Sequence, residues 1–336
     1  MTENKQTVNS DILLEVRNLK KYFPIKTALG TQKGAVKAVD DVSFSIKKGT
    51  TMGLVGESGC GKSTTGRTIL RLLEKTDGEV IFNGQDVNKL SKKELRALRT
   101  KMQIIFQDPY SSLNPRMTVG QIIGEGPVTH GFHRSGDPAL KEHVLRVMDE
   151  CGLPEFMYSR YPHQFSGGQR QRISIARALA VHPKFVVCDE CVSALDVSIQ
   201  SQIINLLMER KENDRLTYLF ISHNLSVVRY LSDRIGVMYL GTLVEIAPTD
   251  TLFENPLHPY TSALLSAIPT LDPLPKKRER EPTLLTGALT RPETGCRFHP
   301  RCPLACDRCR REAPLLTERE PGHFAACFRA GGMGDV

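Results

Sequence analysis

Gly56-Glu57-Ser58-Gly59-Cys60-Gly61-Lys62-Ser63 is the stretch that decides how this 336-residue chain folds. It has the form G-x-x-x-x-G-K-[ST], follows the apolar run Thr51–Val55 and opens a helical pattern over Thr64–Leu73. A strand, a glycine-rich loop and a helix in that order make a phosphate cradle. The glycines let the backbone wrap tightly, so that its N–H groups point inward at oxygen atoms. The helix start adds a favourable dipole for an anion. Lys62 is placed to neutralise the β- and γ-phosphates of ATP, and Ser63 to ligate Mg2+. Gly56, Ser58, Gly59, Cys60, Gly61, Lys62, Ser63 and Thr64 are the residues expected around the nucleotide phosphates.

A second apolar run, Phe185-Val186-Val187-Cys188, ends in the acids Asp189 and Glu190. A buried strand delivers both carboxylates to its C-terminal end, where ligands of α/β sheets sit. Asp189 is expected in the Mg2+ shell and Glu190 as the base that orients and polarises the attacking water. Further strand candidates are Met102–Phe106 and Tyr218–Ile221, with Ile12–Val16, Val42–Ile46 and Glu79–Phe82 as a second, antiparallel layer. Ile235–Ala247 reads as a hairpin turning near Gly241. Short apolar runs alternating with helical patterns predict an α/β fold with a mixed, largely parallel core sheet over residues 12–265. A mostly helical insertion is expected at about 111–165. Residues 1–11 read as a disordered N-terminus and residues 266–295, rich in Pro and charge, as a linker. The Cys-rich tail, 296–336, follows.

Composition is that of a globular protein, with 40% apolar and 24% charged residues. The net charge of +8 is spread among interleaved acids, as in Lys276-Lys277-Arg278-Glu279-Arg280-Glu281, rather than gathered in the stripe of a nucleic-acid binder. No apolar stretch approaches the roughly 20 residues of a membrane span, and Met1–Asp11 has no signal-peptide core. The expectation is a protein peripheral to a membrane that it meets through partners, on the cytoplasmic face.

Ser166-Gly167-Gly168-Gln169, followed by Arg170-Gln171-Arg172 and a helical pattern, lies just ahead of the Asp189-Glu190 strand. This resembles the signature motif of ABC ATPases. Ser166 can cap the helix and the glycines leave N–H groups open to an anion. Other elements are similar to that family in order and spacing. Gln107 resembles the glutamine that senses Mg2+ and meets the membrane subunit. Ser193-Ala194-Leu195-Asp196 resembles the D-loop, and His223 the histidine that contacts the γ-phosphate. Phe23 resembles the aromatic that stacks on adenine, with Tyr22 as the close alternative. The family usually has Pro after the catalytic Glu, and Cys191 stands here instead. The resemblance implies a P-loop ATPase of ABC type in which two subunits sandwich ATP, each phosphate loop facing the other subunit's signature motif.

Nearly the whole chain is similar to the ATPase subunits of bacterial dipeptide, oligopeptide and nickel importers, and more to the second, F-type, ATPase of their pair. The stretches that carry this are the phosphate loop, Gln107-Asp108-Pro109-Tyr110-Ser111-Ser112-Leu113-Asn114-Pro115, Asn255-Pro256-Leu257-His258-Pro259-Tyr260-Thr261 and Gly295-Cys296-Arg297-Phe298-His299-Pro300-Arg301-Cys302-Pro303. The implied partners are a second ABC ATPase, two transmembrane permeases and an extracytoplasmic solute-binding protein, with no nucleic acid. Peptides, nickel chelates and related solutes all stay open as cargo. A soluble ABC ATPase of translation or repair fits less well, because the chain has neither a second cassette nor a long coiled coil. In the tail, Cys296, Cys302, Cys309 and Cys327 follow C-x5-C-x6-C-x17-C, with Cys306 as an extra. Thiolates favour zinc or an iron–sulfur centre, and free thiols are the third possibility. The resemblance implies a [4Fe–4S] cluster on those four cysteines.

Overall fold

The computed structural model describes residues 11–26, 32–193, 195–268 and 291–330. The expected disordered N-terminus apart from Asp11, most of the expected linker, Ala194 and residues 331–336 lie outside the described residues. Twelve strands form two sheets among those described. β1 (Ile12–Lys26), β2 (Gln32–Lys47), β4 (Asp77–Phe82) and β5 (Gln85–Asp86) make an antiparallel sheet in the order β2-β1-β4-β5. The larger sheet runs β11-β12-β10-β9-β3-β8-β7-β6. Its members are β3 (Thr51–Val55), β6 (Met102–Ile105), β7 (Phe185–Asp189), β8 (Thr217–Ile221), β9 (Arg234–Tyr239), β10 (Thr242–Pro248), β11 (Thr317–Glu320) and β12 (His323–Ala325).

The five strands β6, β7, β8, β3 and β9 are parallel. Every residue of β3, β7 and β8 is buried, as expected for strands covered on both faces. The helices Lys62–Ile69, Gly167–Leu179 and Val197–Asp214 lie among the connections between these strands. Between β6 and β7 come the helices Val119–Thr129 and Pro138–Glu150, whose inner faces (Ile122, Ile123, Val144, Val147, Met148) belong to the main core. β9 and β10 pair antiparallel around Gly241, which has a φ of 86°.

The tail contributes two strands to the core sheet. β12 pairs with β10 through Glu245↔Ala325 and Ile246↔Phe324, so the C-terminal hairpin extends the core sheet. A buried hydrogen bond fixes the join: His323 Nε2 lies 2.7 Å from Glu245 Oε1. The same carboxylate accepts the backbone N–H groups of Leu257 and His258 at 2.7 and 2.9 Å. A buried carboxylate is tolerated because its oxygens are occupied in this way.

His258 caps the helix Pro259–Ser266, its Nδ1 accepting the Tyr260 N–H at 3.1 Å. Burial pushes its pKa down to about 4, although Glu245 pulls the other way. Below the ordinary histidine value near 6.5 the unfolded chain takes a proton that the folded chain refuses until about pH 4. Stability is therefore full above pH 6.5 and falls, by up to about 3 kcal/mol, on the way to pH 4. His143, whose pKa is also lowered by burial, acts in the same direction. Urea unfolding at pH 7 and pH 5 is expected to show this loss, and His258→Asn, which keeps a capping acceptor, to show a smaller one. An equal pH dependence in both proteins would remove His258 from the account.

Candidate functional site

The phosphate loop leaves β3 at Gly56, where φ is 150° and a Cβ would stand 2.2 Å from the Met238 carbonyl oxygen. At Gly61, with φ 108°, a Cβ would stand 2.2 Å from the Ala38 carbonyl oxygen. Both positions demand glycine for conformation and for space. The helix Lys62–Ile69 then begins with a free N-terminal turn, since no side chain caps it. Lys62 is nearly buried. Its ammonium donates to the Gly56 and Glu57 carbonyls at 2.8 and 3.1 Å and lies 3.9 Å from Glu190 Oε1. Ser63 and Thr64 sit in the first turn of that helix, and Ser58, Gly59 and Cys60 complete the loop, with Cys60 buried beneath it.

Glu190 is the meeting point of the sequence-predicted residues. It stands just past β7 with a left-handed φ of 49°, its N–H bound to the Ile221 carbonyl at 3.0 Å. Its Oε2 accepts from Gln107 Nε2 at 3.0 Å and lies 3.4 Å from His223 Nδ1. Four separate elements thus bring Lys62, Gln107, Glu190 and His223 together. They do so because β3, β6, β7 and β8 are parallel and their C-terminal ends fall on one edge. Asp189 is buried beside them. Its Oδ2 faces Arg67 at 3.1 Å and its Oδ1 has no hydrogen-bond partner. An unpaired buried carboxylate oxygen is costly unless a cation approaches it, so the donor set fits Mg2+.

The signature segment lies elsewhere. Ser166 caps the helix Gly167–Leu179 in a reciprocal box with Gln169, the two bonds measuring 3.0 and 3.4 Å. Ser166, Gly167 and Gly168 line a cleft of about 640 Å3 with Gln107, Asp108, Tyr110, Leu195 and Asp196. No phosphate-loop residue lines that cleft. Asp196 precedes the helix Val197–Asp214 without a side-chain capping bond. Gln171 is buried at the same cleft with neither amide atom partnered. Cys191 is buried there too and is hydrogen-bonded to Cys188, a contact that a proline could not make.

A family model for ABC transporters matches residues 39–193, and one for the C-terminal region of oligopeptide/dipeptide transporters matches residues 244–309. The chain is 52% identical to the oligopeptide transport ATP-binding protein AppF of Bacillus subtilis, over 95% of this chain and 98% of that one. It is 52% identical to OppF of the same organism, over 95% and 97%. The chain belongs to the oligopeptide group of ABC transporter ATP-binding proteins. Among solved structures, the dimeric post-hydrolysis ATP-binding cassette MJ0796 bound to ADP and Pi is similar with a TM-score of 0.64 and 27% identity, over 70% of this chain and 99% of that one. The cassette cbiO1 from Clostridium perfringens gives 0.61 and 26%, over 73% and 91%.

Within this ABC cassette the candidate base-stacking residues differ in their surroundings. Phe23 is 38% exposed with Lys21 Nζ 4.8 Å from its ring centroid. The Tyr22 hydroxyl donates to Asp40, which also pairs with Arg291 and Arg297. Burial, followed by the Asp40 bond, pushes Tyr22 up to about 12. Burial alone would raise Asp40, but the Tyr22 hydroxyl and the two guanidiniums hold it down to about 2. These arginines, together with Arg67 beside Asp189 and Arg301 beside Glu57, contact candidate site residues and were missed by sequence reasoning, since no local motif marks them.

The tail cysteines share one region. Cys296 donates its backbone N–H to the Cys309 carbonyl at 2.8 Å, and the Cys306 and Cys309 sulfurs are 3.4 Å apart. Burial raises the thiols of Cys296, Cys302 (to about 11) and Cys327, and their mutual charge, with that of Cys309, adds to it. Cys306 is lowered to about 7, first by the Cys309 backbone amide. Among the described residues, no group of three or more His, Cys, Asp or Glu side chains is arranged to hold a metal ion.

The two kinds of glycine in the phosphate loop make a direct test. Gly56→Ala drives a methyl into backbone and is expected to cost several kcal/mol of stability. Gly59→Ala, at φ 80° with open space around it, is expected to cost about 1–2 kcal/mol. Denaturant unfolding of the two variants measures the difference, and equal losses would contradict this account of the loop.

Proposed function

We propose that this chain is the ATP-hydrolysing motor subunit of an importer for di- or oligopeptides. The convergence of Gln107, His223 and Lys62 on the Glu190 carboxylate is the observation that carries it. In this reading the backbone N–H groups of the loop and Lys62 grip the triphosphate. Glu190 accepts the proton of the attacking water while Gln107 and His223 orient its carboxylate and the γ-phosphate. Asp189, Ser63 and Gln107 would hold Mg2+, which would offset the phosphate charge when bound. The relatives AppF and OppF, oligopeptide transport ATP-binding proteins, support the peptide cargo.

The signature residues Ser166–Gln169 serve a second nucleotide site, on a partner ATPase. The separation of their cleft from the phosphate loop supports this, as does the likeness to a dimeric cassette. Two permeases and an extracytoplasmic solute-binding protein complete the transporter. Peripheral attachment to the cytoplasmic face of the membrane accords with the described helices, none of which is long and apolar enough to cross it. Residues 12–265 act as the ATPase domain, with the helices Val119–Thr129 and Pro138–Glu150 on the permease-facing insertion.

Glu190→Gln is expected to keep MgATP affinity within a few-fold and to lower turnover in the assembled transporter by roughly 10²- to 10⁴-fold. Undiminished turnover would remove Glu190 from the reaction.

The tail reading is a [4Fe–4S] cluster on Cys296, Cys302, Cys309 and Cys327. The four cysteine thiols gathered in one region of the tail would supply its donor set. Anaerobically isolated protein is expected to be brown and to contain iron and acid-labile sulfide. Colourless protein with stoichiometric zinc would refute the cluster.

A further inference from the structure

Glu57, inside the phosphate loop, is held on three sides. Its backbone N–H donates to the Tyr260 hydroxyl at 2.9 Å, and its carbonyl accepts from Lys62 Nζ at 3.1 Å. Its carboxylate receives both terminal nitrogens of Arg301, at 2.9 and 3.0 Å, from 244 residues further along the chain. A two-pronged guanidinium–carboxylate pair is the strong, directional form of an ion pair. The Arg301 side chain is only 6% exposed. Its Nη1 also lies 3.4 Å from the Tyr239 hydroxyl. Tyr239, Tyr260 and Phe298 pack against one another with ring centroids 4.7 to 5.4 Å apart. The arm that carries Arg301 is thus wedged in an aromatic block beneath the loop.

The same arm reaches the other end of the nucleotide site. Arg297 donates to the Leu240 carbonyl at 2.6 Å and, with Arg291, pairs with Asp40, which accepts the Tyr22 hydroxyl. Tyr22 and its neighbour Phe23 are the candidates for stacking on the base.

We propose that Arg301 is a positioning residue for the nucleotide, fixing the phosphate loop through Glu57, while Arg297 and Arg291 fix Tyr22 through Asp40. Residues 291–301 are then a working part of the nucleotide site. The proposal rests on the reading of residues 56–63 as the triphosphate cradle. The physical reason is preorganisation. Lys62 Nζ donates to the Gly56 and Glu57 carbonyls, so the loop sets where its third N–H meets a phosphate, and a loop free to shift would spend binding energy on being ordered. The Arg301 fork holds Glu57, and with it the Lys62 ammonium, in place.

Equilibrium titration of the full-length chain with MgATP, joined to steady-state turnover in the assembled transporter, tests this. Arg301→Gln is expected to raise the Kd for MgATP roughly three- to tenfold, and to raise KM more than it lowers kcat. Glu57→Gln should do the same, and the double variant should be no worse than either single one. Arg301→Lys, which keeps the charge and loses the fork, should fall between. Unchanged affinity in Arg301→Gln, or losses that multiply in the double variant, would overturn the proposal, because a merely structural pair would lower thermal stability without moving KM. If Arg301→Gln does not fold, the charge-reversed pair Glu57→Arg with Arg301→Glu decides. Folding with restored MgATP affinity supports the clamp, and failure to restore it refutes the clamp. Lys62→Ala separates this from the underlying reading. If it binds MgATP as the unaltered chain does, the cradle itself is wrong. If it loses binding while Arg301→Gln does not, the cradle stands and the clamp falls.

Discussion

The burial of β3 between two parallel neighbours is the constraint from which the site follows. Thr51–Val55 pairs with β8 on one side and β9 on the other, and every residue is out of water. A strand so placed cannot slide without breaking two ladders at once. The chain leaves it at Gly56 in a fixed place, threads between the Met238 and Ala38 carbonyls, and starts the helix at Lys62. Rigidity at the phosphate loop is therefore inherited from the sheet. Parallel strands also place their C-terminal ends together, so Gln107, Glu190 and His223 arrive beside Lys62 without any contact between them in sequence.

Much of this was legible because special backbone chemistry needs particular residues. The left-handed turn at Gly61 and the acids ending an apolar run can be read one segment at a time. β6, β7 and β8 match the expected strands to within a residue. The antiparallel layer was legible in kind but not in extent. β1 and β2 run far beyond Ile12–Val16 and Val42–Ile46, because they pair with each other through repeated bulges rather than through a steady apolar alternation. β11, Thr317–Glu320, is exposed at every position and shows no period to read. Its partner β12 joins β10 through His323 and Glu245, a buried pair 78 residues apart in sequence. Arg301 and Glu57 escaped for the same reason: an ion pair spanning most of the chain leaves no local trace. The cysteine spacing was visible, but spacing alone does not set the distances that choose among metals.

The candidate site residues fall into two separate regions. The carboxylate and the phosphate loop share one edge of the sheet, while the Ser166-capped helix opens onto another cleft beside Gln107 and Asp196. Phosphate loop and signature segment thus lie apart within one chain. Gln107 belongs to both regions, hydrogen-bonded to Glu190 and lining the second cleft.

A structure of the assembled, MgATP-bound transporter arrested by Glu190→Gln tests the central claim most directly. The account predicts the γ-phosphate within hydrogen-bond distance of Lys62, close to Gln107 and His223, and covered by the signature segment of the partner ATPase. Nucleotide seated away from Lys62, or covered by Ser166–Gln169 of its own chain, would contradict it.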